Sequence, residues 1–199
     1  MEKQTVFSNF IAHEYLPNID NVSIAEYAYD LEAKGESVRV SNEGGFHSTH
    51  LDLANSKTSD LFRELIRCVS ETFISLGFNI EEYEPVIHVA WLNINRKHNF
   101  MRHHNHNKSL LSGVYYIKTP KNSGDLEFNS PVADHKYVVD SDCIKDFNDF
   151  NSNTWIVPAE ESKLVLFPSW LVHFVQPNFS DEDRISLSFD CSVRKRNLT

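Results

Sequence analysis

The sequence Arg-Ile-Ser-Leu-Ser-Phe-Asp at residues 184–190 alternates polar and apolar side chains. A strict period of two predicts a β-strand with one buried face and a second face turned the other way. Ile185 and Leu187 share the apolar face, and Arg184 and Ser186 lie on the opposite face. The strand is therefore expected to direct a guanidinium group and a hydroxyl group to the same side.

Short segments of similar character follow one another through the second half of the chain. Prolines and Gly124 separate them, as turn residues do between strands. The predicted strands are residues 86–95, 109–118, 125–128, 154–157, 163–167, 171–175 and 184–193. Residues 133–153 are polar and are predicted to form a long loop, placed where it can lie over the mouth of a barrel.

Two amphipathic helices are predicted ahead of these strands. The first begins at a capping box, Ser23 with Glu26, and ends at Gly35. The second begins near Thr58 and ends at Gly77. Helices followed by many short strands predict a mainly β fold of the α+β class, a barrel or sandwich with a helical layer packed on one outer face.

Three histidines have the pattern of a metal site. Residues 102–106 read Arg-His-His-Asn-His, and in an extended chain His104 and His106 face the same side. His173 lies in an apolar segment and needs a polar partner once it is buried. Imidazole binds iron, zinc, copper and nickel alike, so a metal site is one interpretation. A polar loop rich in histidine and a core histidine bonded to a backbone carbonyl are the others.

Arg184 is expensive to bury without a partner if the polar face of its strand points into a barrel. Together with Ser186 it forms a guanidinium and hydroxyl pair that suits one carboxylate of a small diacid. A structural salt bridge to an internal Asp or Glu is the alternative interpretation.

The order His-x-His, distal His and Arg-x-Ser resembles the 2-oxoglutarate- and Fe(II)-dependent oxygenases. In that family a double-stranded β-helix has an H-x-D/E pair, a distal His and, further on, an Arg or Lys. Residues 173–177, His-Phe-Val-Gln-Pro, are similar to the segment around the distal ligand of the animal prolyl hydroxylases. Residues 114–117, Val-Tyr-Tyr-Ile, are similar to a strand whose second tyrosine contacts 2-oxoglutarate, which is Tyr116 here.

The sequence is most similar to a subgroup of these oxygenases that is frequent in bacteria and marine cyanophages. The landmarks of the subgroup occur here in order, at residues 42–48, 91–95, 104–106, 111–116 and 166–173. Residues 124–128 are similar to a glycine-containing strand of the family. The resemblance extends over nearly the whole chain, and residues 86–192 are its most specific part.

The resemblance implies a double-stranded β-helix, also called a jelly roll or cupin-like barrel, in a single domain of residues 1–199. Residues 1–84 are expected to form the helical layer and residues 85–194 the barrel. The implied reaction uses Fe(II), 2-oxoglutarate and O₂ to hydroxylate a C–H bond of a peptidyl (for example prolyl), amino-acid or small-metabolite substrate, with release of succinate and CO₂. The implied site residues are His104, His106 and His173 for Fe(II), and Arg184, Ser186, Tyr116 and Asn93 for 2-oxoglutarate.

His106 stands where the wider family has a carboxylate ligand. Three neutral imidazoles leave an Fe(II) site one charge more positive, and such sites resemble those of cupin-type thiol dioxygenases, which use no 2-oxoglutarate. Asp125 or Glu127 could supply a carboxylate from a later strand, while the pair of Arg184 and Ser186 favours 2-oxoglutarate. A three-histidine dioxygenase without 2-oxoglutarate and a non-catalytic binding module on the same barrel are the alternatives.

The composition is that of one folded domain with acidic character. Of 199 residues, 41% are hydrophobic, and 19 basic against 28 acidic residues give a net charge of −9. Nucleic acid is not an expected partner, because phosphate contacts need clustered basic residues. A small-molecule or peptide substrate is expected instead, and the oligomeric state is left open, a homodimer included.

The expected location is the cytoplasm, or the host cytoplasm if a phage encodes the chain. Three cysteines without a paired spacing favour a reducing compartment. The sequence shows no signal-peptide pattern and no apolar run long enough to span a membrane, so no membrane association is expected.

Overall fold

The computed structural model describes residues 1–2, 4–35, 37–38, 40–132 and 141–196. The predicted loop at 133–153 lies partly outside these residues. Within them the chain forms two α-helices and eleven strands, and the strands make two antiparallel sheets. Apolar side chains from both sheets pack together between them, so the sheets face each other.

The larger sheet has six strands, and all neighbouring strands are antiparallel. In spatial order they are β1 (Ala12–Tyr15), β9 (Lys163–Pro168), β6 (Leu111–Lys118), β11 (Arg184–Lys195), β4 (Tyr83–Asn95) and β3 (Phe46–His47). Strand β11, which contains residues 184–190, pairs with β4 on one side and with β6 on the other. It is therefore an interior strand of this sheet.

The smaller sheet has five strands. In spatial order they are β2 (Asn42–Glu43), β5 (Phe100–His104), β10 (His173–Val175), β7 (Leu126–Asn129) and β8 (Thr154–Val157). From β4 to β11 the chain passes back and forth between the two sheets, and only β7 and β8 follow each other within one sheet. This connectivity is that of a double-stranded β-helix, so the predicted fold class is confirmed.

The first helix, α1 (Asn21–Ala33), begins earlier than its sequence pattern predicts. Asp20 is the N-cap residue, and its carboxylate accepts the backbone N–H of Ser23 at 3.1 Å. The predicted capping box at Ser23 is wrong, because Asp20 already provides the side-chain oxygen that the first turn needs. Gly35 follows the helix with a φ of +74°, a conformation that favours glycine, as predicted.

The second helix, α2 (Ser59–Ser75), follows Thr58 as predicted, and Gly77 lies just beyond its end. Neither helix is long and apolar enough to cross a membrane, and this holds for the described residues only.

Both helices pack on the outer face of the larger sheet. Buried residues in this one apolar cluster include Ile24, Ala28, Leu31, Leu65, Val69, Phe73, Ala90, Leu92, Leu187 and Phe189.

Burial of the outer face determines which way each residue of β11 points. Ile185, Leu187 and Phe189 belong to the cluster beneath the helices and are fully buried there. Because neighbouring side chains of a strand point to opposite faces, Arg184 and Ser186 are turned toward the smaller sheet. The alternation seen in the sequence therefore places a buried arginine between the sheets.

Four strands were not predicted from the sequence: β1, β2, β3 and β5. Strands β2 and β3 have two residues each, and β1 and β5 are too polar to show an alternating apolar pattern. Three of these strands lie within residues 1–84, so that segment also supplies strands to both sheets. Strand β4 begins at Tyr83, just ahead of the expected start of the barrel.

The contact between Gly113 and Phe189 allows a test of how tightly the outer face is packed. A Cβ atom added at Gly113 would overlap the Phe189 ring, with 2.6 Å to Cε1, and would lie 2.9 Å from Leu166 Cδ2. We expect Gly113→Ala to lower the free energy of unfolding by about 1–3 kcal/mol, as overpacking does. Urea-induced unfolding measures this loss.

The control for this prediction is Phe189→Leu, which removes the ring atoms that the new methyl group would overlap and leaves Leu166 in place. Phe189→Leu should destabilise the Gly113→Ala protein less than it destabilises the wild type, because relief of overlap offsets the lost packing. Equal losses in the two backgrounds would show that Gly113 is not held closely against this ring.

Candidate active site

The structure brings the three predicted histidines together between the sheets. His104 is the last residue of β5, and it pairs with His173, the first residue of β10. His106 lies two residues beyond β5, where its backbone N–H donates to the carbonyl of Ser169 at 2.8 Å. The candidate ligand atoms of the three rings all lie within 4.8 Å of one another.

Backbone carbonyls fix the proton positions of two of these rings. Nδ1 of His104 lies 2.6 Å from the carbonyl oxygen of Arg102, and Nδ1 of His173 lies 2.9 Å from that of Leu171. A carbonyl can only accept, so both Nδ1 atoms donate and both Nε2 atoms keep a lone pair. Burial lowers the pKa of His104 to about 4 and that of His173 to about 3, which holds both rings in the neutral form that binds metals.

A carboxylate fixes the third ring. Nδ1 of His106 lies 3.0 Å from Oδ2 of Asp190, and Oδ1 of Asp190 accepts a hydrogen bond from Ser112 Oγ at 2.6 Å. The hydroxyl of Ser169 lies 2.8 Å from that of Ser112. A neutral His106 that donates from Nδ1 also keeps its lone pair on Nε2, so all three rings present the same kind of donor atom.

Sequence analysis missed Asp190, although its position was predictable. It continues the polar face of β11 that begins at Arg184 and Ser186, and its alternation places it on the inner side. Its pairing partner on β6 is Ser112, with which it shares a hydrogen bond. The alternation of polar and apolar residues from Arg184 to Asp190 already indicated this position.

Other groups that could have joined the cluster lie elsewhere. The ring of His103 stacks on Phe174 at 4.1 Å between centroids and belongs to no metal-ligand cluster found among the described residues. Asp125 accepts the backbone N–H of Ala159, and Glu127 accepts from the side chain of Gln176. The carboxylates considered as alternative ligands are thus engaged away from the three rings.

Arg184 is buried and hydrogen-bonded to neutral acceptors. Its side chain donates from Nη1 to the carbonyls of Ser123 and Gly124 and from Nη2 to Asn95 Oδ1, each at 3.0 Å. No ion pair of Arg184 occurs among the described residues, so the alternative of a structural salt bridge to an internal Asp or Glu is not seen there. Arg184 is 1% exposed, and burial lowers the pKa of its guanidinium to about 10 even though the charge of Asp125 acts in the opposite direction.

The hydroxyl of Tyr116 is a polar group close enough to Arg184 to interact with it electrostatically. This hydroxyl is buried with no hydrogen-bond partner among the described residues, and burial raises the pKa of the phenol above its usual value. Tyr116 and Asn93 pair with Ser186 from either side, so the three residues form a row across neighbouring strands. The amide of Asn93 is already engaged, because it donates to Ser188 Oγ at 3.1 Å.

The three histidines and the polar residues around Arg184 line one cavity between the sheets. Apolar side chains complete its wall, and Asn93 is not part of the lining. The residues that argue for a ligand are His104, His106, His173, Tyr116, Arg184 and Ser186, and the apolar residues include Met101, Leu126, Phe167 and Val175. Three nitrogen donors suit a divalent metal, and an unpaired guanidinium beside an unpaired hydroxyl suits a carboxylate. The residues present therefore fit a metal ion together with a small diacid.

A protein-family model described as "Putative 2OG-Fe(II) oxygenase" matches residues 89–190, just over half of the chain. The chain belongs to this family of 2-oxoglutarate- and Fe(II)-dependent oxygenases. The matched segment includes every residue that the sequence analysis assigned to the site. No curated protein sequence matches the chain.

Solved structures with the same fold include two prolyl hydroxylases. A prolyl-4-hydroxylase from Pseudomonas putida has a TM-score of 0.60 and 17% identity, covering 96% of this chain and 95% of its own. The collagen prolyl hydroxylase of Paramecium bursaria Chlorella virus 1, in its 2-oxoglutarate complex, has a TM-score of 0.54 and 13% identity, covering 90% and 94%.

A third solved structure is that of an epimerase. The non-heme α-ketoglutarate-dependent epimerase SnoN of nogalamycin biosynthesis has a TM-score of 0.67 and 14% identity, covering 94% of this chain and 81% of its own. At these identities the three likenesses establish the fold.

Proposed function

We propose that the chain is a 2-oxoglutarate- and Fe(II)-dependent dioxygenase with the metal held by His104, His106 and His173. The observation that carries the proposal is the buried Arg184, which shares one cavity with the three histidine rings and has no carboxylate partner among the described residues. A metal site alone would not require the charge of Arg184, whereas a diacid cosubstrate would bind to both the metal and Arg184.

The polar residues at the Arg184 end of the cavity have roles that follow from their chemistry. Arg184 anchors the far carboxylate of 2-oxoglutarate, and the hydroxyls of Tyr116 and Ser186 donate to the same carboxylate. Asn93, which lies outside the lining, supports the row from the neighbouring strand. Together these groups orient the diacid with its 2-oxo acid end toward the three histidines.

The bound metal, with 2-oxoglutarate and O₂, supplies the oxidising power for hydroxylation of a C–H bond, with succinate and CO₂ as co-products. The protein binds and orients the cosubstrate, and an apolar wall of the cavity excludes water. Phe167 and Leu126 lie on that wall and are almost completely buried. Exclusion of water strengthens the contact of Arg184 with the carboxylate, because charges interact more strongly in an apolar surrounding.

The proposed primary substrate is a peptide, with a prolyl residue as one candidate, an amino acid or a small metabolite. Structural relatives named as prolyl hydroxylases and as an epimerase of nogalamycin biosynthesis support this range. The net charge of −9 disfavours nucleic acid as a substrate.

We further propose one functional unit over residues 1–199 in the cytoplasm, which would be the host cytoplasm for a phage protein. The helices and the larger sheet share one apolar cluster, which supports a single unit. Cys68, Cys143 and Cys191 are all free thiols, which supports a reducing compartment.

The function is tested by anaerobic titration of the protein with Fe(II) and 2-oxoglutarate. We expect a weak visible metal-to-ligand charge-transfer band, followed in air by succinate release that a panel of peptides and amino acids stimulates. Oxygen uptake that needs iron but not 2-oxoglutarate would replace this proposal with a three-histidine dioxygenase. Absence of Fe(II) binding would point to a non-catalytic binding module.

Arg184→Ala tests the assignment of the cosubstrate end of the cavity. Hydrogen bonds to charged groups are worth about 1.5–3 kcal/mol, so the apparent dissociation constant for 2-oxoglutarate should rise about 10- to 100-fold. Fe(II) affinity should stay nearly unchanged. Arg194→Ala is the matched control, since Arg194 lies on the same strand but pairs with Glu84 at the surface. Equal losses of iron and 2-oxoglutarate binding in Arg184→Ala would show a structural role.

Tyr116→Phe tests whether the Tyr116 hydroxyl acts in 2-oxoglutarate binding and not in the stability of the fold. The hydroxyl has no hydrogen-bond partner in the described part of the chain, so its removal should not lower the free energy of unfolding. The apparent affinity for 2-oxoglutarate should fall about fivefold, the equivalent of one hydrogen bond of about 1 kcal/mol. A stability loss without any change in 2-oxoglutarate binding would contradict the assigned role.

A further inference from the structure

Three neutral imidazoles bring no negative charge to a divalent metal. The carboxylate of Asp190 is hydrogen-bonded to one of the three rings, at 3.0 Å from Nδ1 of His106. We propose that Asp190 is a positioning residue that supplies this charge through His106, so that the two side chains act as one anionic ligand unit. The inference rests on the proposed three-histidine metal site.

The first support is the way the carboxylate is held. One oxygen of Asp190 receives the N–H of His106 and the other receives the hydroxyl of Ser112, so both are directed by donors. The side chains of Asp190 and His106 are 10% and 14% exposed. A carboxylate fixed in this way holds the His106 ring with Nε2 turned away from it, toward the other two rings.

The second support is the absence of a basic partner. Within the described residues, the only ion pair in which Asp190 takes part is the contact with His106, and no Lys or Arg side chain pairs with it. A buried charge is costly unless an opposite charge is near. A divalent cation on the far nitrogen of His106 would supply that opposite charge across the ring.

The third support is the contrast among the three rings. His104 and His173 donate to backbone carbonyls, which are dipoles without net charge. Only His106 donates to an anion, and a carboxylate behind an imidazole makes it a more basic ligand. The negative charge therefore lies behind one particular ligand of the site, His106.

The experiment measures Co(II) affinity by visible absorption titration of the full chain, without cosubstrate or turnover. Asp190→Asn keeps a side-chain oxygen that can accept from Nδ1 of His106 but removes the charge. We expect about 10- to 100-fold weaker binding, the usual effect of losing a group behind a metal ligand. Ser112→Ala is the matched control, because it removes the other partner of Asp190 and leaves the charge in place. It should change the affinity far less.

The same substitution in a His106→Asp background provides the decisive comparison. That change places a carboxylate directly at the ligand position, so the charge of Asp190 is no longer needed there. Asp190→Asn should then cause no loss of affinity, and relief of repulsion between two carboxylates can even increase it. If His106→Asp binds no Co(II), the comparison of Asp190→Asn with Ser112→Ala decides the question alone.

The outcomes distinguish this inference from the function on which it rests. Wild-type protein that binds no Co(II), Fe(II) or Zn(II) overturns both the metal site and the role of Asp190. Wild-type protein that binds metal with an affinity unchanged by Asp190→Asn overturns the role of Asp190 alone. Equal losses in Asp190→Asn and Ser112→Ala also overturn it, since they would assign Asp190 to local structure.

Discussion

The side-chain alternation of β11 is the constraint on which the site depends. Helices α1 and α2 cover the outer face of the larger sheet, so Ile185, Leu187 and Phe189 must point outward into their apolar cluster. A strand has a period of two, and a shift by one residue would place these apolar groups inside and the polar groups under the helices. The apolar packing thereby forces Arg184 and Asp190 into the space between the sheets, one at each end of the same polar face.

The two inward charges explain why the cavity is suited to a metal and a diacid together. Arg184 has no carboxylate partner and Asp190 has no Lys or Arg partner among the described residues. In the proposed complex, Fe(II) brings two positive charges and 2-oxoglutarate two negative charges, which sum with Arg184 and Asp190 to zero. Arg184 then lies next to a carboxylate of 2-oxoglutarate, and Asp190 faces the metal across the His106 ring, which is the arrangement that makes buried charge tolerable.

Sequence periodicity predicted the inward face of β11 because that strand is regular, and it failed where the structure is short or polar. Strands β2 and β3 are two residues long, and the polar β5 is held by its neighbours rather than by an apolar pattern. Asp20 was missed as a cap because Ser23 with Glu26 gives the same kind of signal three residues later. Asp190 was missed because its function depends on His106, which is distant in sequence and adjacent only after the sheets face each other.

The three histidines differ in how substitution can adjust them. The acceptors behind His104 and His173 are backbone carbonyls, which no side-chain replacement removes. Behind His106 the acceptor is the side chain of Asp190, so a single substitution there can change the charge on the site without moving a ligand atom. Imidazole donors alone do not discriminate among iron, zinc, copper and nickel. The charge behind His106 is therefore the property of the site whose change would alter the affinity for the bound metal.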